Sequence, residues 1–100
     1  MSLIPLKPEE TQRGVQVIYM TPHALPTQNL SHADNRYGIV TGPVGADGWV
    51  PVRMLSMDPE TKRWNGKYDK TDRYFMPSIL FRWQAISNSE VDIILQEIGV

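Results

Sequence analysis

The feature that most restricts this chain is a turn signal, Gly42-Pro43-Val44-Gly45-Ala46-Asp47-Gly48, set between two apolar, β-branched runs. Glycine, proline and aspartate at this density extend neither a helix nor a strand, so the chain must reverse there. Tyr37–Thr41 before the signal and Trp49–Leu55 after it then read as the two arms of a β-hairpin. Pro51 has no N–H to give to a ladder, which predicts an edge position or a bulge in the second arm.

The same reasoning extends outward from the hairpin. Val15, Val17 and Tyr19 alternate with Gln16, Ile18 and Met20 between Gly14 and Pro22, the period of a strand. Asn65-Gly66 inside Arg63–Tyr68 is the favoured pair of a tight hairpin. Arg73–Met76 reads as a short strand turned by Pro77-Ser78. Leu80–Ile86 reads as the last strand, with Phe81, Trp83 and Ala85 on one face and Arg82 and Gln84 on the other. Ser87 followed by Glu90 has the spacing of a capping box, and Val91, Ile94, Leu95 and Ile98 fall on one helical stripe. Glu90 and Asp92 occupy the first turn, where the helix dipole favours negative charge, and Gly99 stops the helix. A helix over 88–98 is too short to be stable alone and must pack on something.

A chain of 100 residues makes one domain. Residues 1–13 read as an N-terminal arm whose Leu3, Ile4 and Leu6 dock on the body, and 14–100 as a single β-barrel domain. Short strands with one long polar connection, 21–36, and a C-terminal helix point to a mainly β fold, a small barrel curled around Val17, Val40, Val52 and Trp83.

The run Gly14–Ala24 (with Tyr19, Pro22, His23 and Ala24), then Ser31–Asp34, then Tyr37–Thr41, then Trp49–Arg53 resembles a group of small phage and prophage proteins. In these a strand ending V-x-Y-x-P-x-H-A is followed by a His-containing loop, a G-x-V-T/S strand and a V-x-V-R strand. The resemblance covers residues 14–55 and implies an SH3-like β-barrel and a phage origin, with no reaction attached. The chain departs from the pattern at Pro51, in the length of 56–79 and in the added C-terminal helix.

Several function classes are excluded or left without support. The formal net charge is −1, so no global field attracts nucleic acid or acidic lipid. With no cysteine there is no disulfide, thiol nucleophile or cysteine-type zinc site. No apolar run reaches the roughly 20 residues of a membrane span, and Met1–Lys7 lacks the pattern of a signal peptide. A cytoplasmic location is therefore expected. The glycines of 38–48 are followed by no Lys-Ser/Thr and no helix, so they form no phosphate loop. There is no G-x-S-x-G elbow and no paired carboxylates at one face, and no catalytic residue, metal or cofactor is assigned.

Two constellations stand out as binding candidates. His23, His32 and Asp34 share the long connection, and imidazole with carboxylate suits a transition metal, although His-x8-His-x-Asp matches no established site. The other reading has His23 bonded to loop backbone, with Asp34 and Asn35 forming turns. Residues 62–83 interleave Arg63, Lys67, Lys70 and Arg73 with Trp64, Tyr68, Tyr74 and Trp83, the combination by which small barrels stack single strands. Alternatively the aromatics fill the core and the bases face water, with Trp64 at a hairpin tip the one left outside. The helical stripe either caps the barrel or joins two copies. The expected function is a non-catalytic interaction module contacting a host or phage protein. The alternatives are a nucleic-acid-binding barrel using 62–83 and a metal-dependent enzyme or small-ligand binder around His23, His32 and Asp34.

Overall fold

The computed structural model describes residues 5–19, 37–58, 60, 61 and 63–100. In chain order these form strands β1 (Gln16–Tyr19), β2 (Tyr37–Val40), β3 (Val50–Met57), β4 (Trp64–Tyr68), β5 (Arg73–Phe75) and β6 (Leu80–Arg82), then helix α1 (Asn88–Ile98). Single 3-10 turns occupy Pro8–Glu10 and Pro77–Ile79. All ladders are antiparallel. The sheet runs β4-β3-β2-β1-β6, and β5 joins the same flank of β3 as β4. β3 is long enough to serve both: Val50–Val52 pair with β5, and Leu55 and Met57 with β4. Pro5 bridges to Phe81 and the Leu6 N–H donates to the Leu80 carbonyl, so the arm docks beside β6 at Pro5 and Leu6; Leu3 and Ile4 lie outside the described residues.

Alternation sorts the side chains onto two faces. One carries Val17, Val40, Val50, Val52, Met54 and Leu80, all buried with Leu6. Gly38 lies among them because a Cβ there would stand 2.5 Å from Val52 Cγ1. The sheet coils over this face until the rings of Tyr19 and Phe75 stack at 4.8 Å, although β1 and β5 are separated by β2 and β3. The opposite face carries Ile39, Leu55 and Met57, and α1 lays Val91, Ile94 and Leu95 on them. Ile18 and Phe81 form a third buried group on that face, with Tyr37 and Trp83 beside them.

The helix forms as its sequence predicts. The Glu90 N–H donates to Ser87 Oγ at 3.2 Å, and the Ser87 N–H donates to Glu90 Oε1 at 3.0 Å. Gly99 closes the helix in the left-handed conformation at φ 77°. The apolar stripe closes this chain's own core.

Five expectations are corrected. The curled sheet is open: among the described residues no ladder joins β6 to β4 or β5. Asn65-Gly66 is not a hairpin tip but lies inside β4, where Gly66 at φ 89° takes up a bulge against β3. Pro51 is neither on an edge strand nor at a bulge, since β3 lies between β2 and β5 and its register with β5 is regular from Val50 to Val52. Its carbonyl accepts from the Thr41 N–H just past the end of β2, so the missing donor falls where that ladder has stopped. The last strand ends at Arg82, because the Gln16 side chain replaces the ladder beyond it. Its carbonyl accepts from the N–H groups of Ala85 and Ile86 at 3.0 Å each, and its amide donates to the Ile86 carbonyl at 2.7 Å. Trp83 accordingly leaves the interior that holds Val17, Val40 and Val52 and packs with Ile18 and Phe81 on the other face.

Candidate functional site

Trp49, immediately before β3, and Pro51, Arg53, Leu55 and Met57 within it follow one another along the face that α1 covers. The helix reaches Leu55 and Met57 and leaves the other end bare. There Trp49 is 43 % exposed and Tyr74, opposite Pro51 in β5, is 61 % exposed. With Pro43, Pro51, Asp47 and Val100 they line an open cleft of about 610 Å³. The hairpin turn fixes one wall: the Gly45 N–H donates to the Trp49 carbonyl at 2.9 Å, and Asp47 Oδ1 accepts from the Trp49 N–H at 3.1 Å.

The floor of the cleft is held by a polar network. Arg53 Nε donates to Asp72 Oδ1 at 2.8 Å, and Thr41 Oγ1 donates to Asp72 Oδ2 at 3.0 Å. Arg53 Nη1 also donates to the carbonyls of Asp69 and Lys70, which ties the β4–β5 connection to β3. Asp72 is therefore neutralised within the chain, whereas among the described residues the Asp47 carboxylate meets only the Trp49 backbone N–H.

The residues singled out from the sequence are dispersed. His23, His32 and Asp34 lie outside the described residues, as does Lys62. Trp64 is half-buried under α1, and its indole N–H donates to the Lys67 carbonyl at 2.7 Å. Tyr68 is also half-buried there, and its hydroxyl donates to Glu97 Oε1 at 2.9 Å. That carboxylate holds the phenol pKa above its ordinary value. Arg63 and Lys67 are exposed, and Arg73 stands 4.0 Å from Asp69. The bases thus face water while the aromatics of β4 belong to the packing beneath the helix. Trp49 and Tyr74 are the large aromatics left exposed; Tyr74 belongs to the 62–83 segment singled out above, whereas the sequence marks Trp49 only as a strand residue. The available signal for Trp49 was its parity with Pro51; Tyr74 joins that face only through the pairing of β5 with β3.

Among the described residues no helix is long and apolar enough to cross a membrane. Compared with known proteins, the chain matches no family model, no curated protein and no solved structure.

Proposed function

We propose that this chain is a non-catalytic binding module that holds a segment of a partner protein against Trp49, Pro51 and Tyr74. As part of that proposal, its curled sheet is read as a small SH3-like barrel left open at one seam. The observation that carries the reading is the exposure of two large aromatics at a concave corner, in a domain whose other sheet aromatics are half-buried or buried. Tryptophan and tyrosine supply contact area at low entropic cost and are enriched at interfaces for that reason. The corner stands on strands and a bonded turn, so it is preorganised.

The test is selection from a random-peptide library on the intact chain and on a Trp49→Ala/Tyr74→Ala variant. Peptides retained by the natural chain and lost by the variant support the reading. Equal retention by both, or retention of a single-stranded oligonucleotide at low salt in place of any peptide, overturns it.

A further inference from the structure

We infer that the Asp47, Trp49 and Tyr74 corner is an arginine-recognition site, taking one cationic side chain of the partner segment. This rests on the reading of the cleft as a protein-binding surface and adds what that surface selects.

These three residues, which also line the cleft, by themselves line a shallow open depression. Aromatic faces carry negative potential and attract a cation laid over them, Trp most strongly. A carboxylate on a third side adds a charge-assisted hydrogen bond. Among the described residues no lysine, arginine or histidine lines the cleft, so none of them compensates its charge. Of the two acids present, Asp72 is already paired with Arg53, which leaves Asp47 to meet an incoming charge. A guanidinium fits better than an ammonium, because it is planar, stacks on aromatic rings and donates in a fork to carboxylate. The rest of the cleft, with Pro43, Pro51 and Val100, suits apolar residues beside that arginine.

The probes are a capped seven-residue peptide with one arginine between apolar residues, and its twin with citrulline, which keeps the shape and loses the charge. Binding is followed on the Trp49 indole N–H resonance of the intact chain, assigned with Trp49→Phe. The arginine peptide is expected to shift that resonance and to bind about tenfold more tightly than its twin. Asp47→Asn keeps an acceptor for the Trp49 N–H and removes the charge. It should bring the arginine peptide down to the citrulline level while leaving the twin unchanged. Equal affinity of the two peptides overturns the arginine assignment and leaves the binding surface standing. No shift from either peptide also overturns it, and the library selection then decides whether the surface binds peptides at all.

Discussion

One face of this sheet is built in two ways along a single strand. Toward the end of β3, Leu55 and Met57 lie under Ile94 and Leu95, with hardly any surface left to solvent. Toward its start, Trp49 and Pro51 lie beside Tyr74 and α1 does not reach them. Arg53, bonded to Asp72, marks the border. The fully buried part of the covered end is aliphatic, with Trp64 and Tyr68 half-buried beside it, and the bare end is aromatic. Burying aliphatic surface is what stabilises a small domain. Aromatic surface left uncovered beside an unpaired carboxylate contributes little to that and is suited to recognition. On the proposed reading, stability and binding are separated on one face.

The contrast can be broken first at its covered end. Ile94→Ala empties a fully buried site and should cost about 3 kcal/mol by denaturant unfolding; a loss below about 1 kcal/mol would mean that the helix is not seated on the sheet. Gln16→Leu keeps volume but orphans the Ala85 and Ile86 N–H groups, and should cost about 2 kcal/mol by the same measure. Ser87→Ala removes the helix cap, for about 1 kcal/mol. The Ser87 backbone and hydroxyl hold the Glu90 pKa below its ordinary value. The stabilisation linked to Glu90 is therefore complete above the ordinary glutamate pKa and disappears as pH falls through the lowered one. Unfolding midpoints of Ser87→Ala should approach those of the natural chain in acid. At the bare end, Tyr74→Ala should shift stability by no more than about 0.5 kcal/mol, while abolishing peptide retention. A large loss of stability there would show that the aromatic corner is packing rather than surface.

Much of this architecture is legible in the sequence because its signals are local. The Ser87–Glu90 spacing and Gly99 bound the helix, and the glycine-proline run at 42–48 makes the β2–β3 hairpin. Sequence misleads where a distant partner decides. Asn65-Gly66 has the chemistry of a tight turn, but Leu55 and Met57 hold it in a bulged strand. Leu80–Ile86 alternates like one strand, but the Gln16 amide, seventy positions away from Ile86, takes over the hydrogen bonds of its second half. The candidate site was harder still. Basic and aromatic residues at 63–73 are adjacent in sequence but face different surroundings. Asp47, Trp49 and Tyr74 meet only because β5 pairs with the start of β3. The histidine-bearing connection lies outside the described residues, so the structure does not bear on His23, His32 and Asp34.

The division of one flank of β3 between β4 and β5 also limits how these molecules meet one another. A long strand with an unsatisfied flank is a template for edge-to-edge aggregation. Here that flank is occupied by pieces of five and three residues, one of them bulged at Gly66. Between them runs a charged connection pinned by Arg53. An approaching strand from a neighbouring copy finds no straight run on which to extend a ladder, so the domain can expose an aromatic corner for recognition with less risk of polymerising through its sheet.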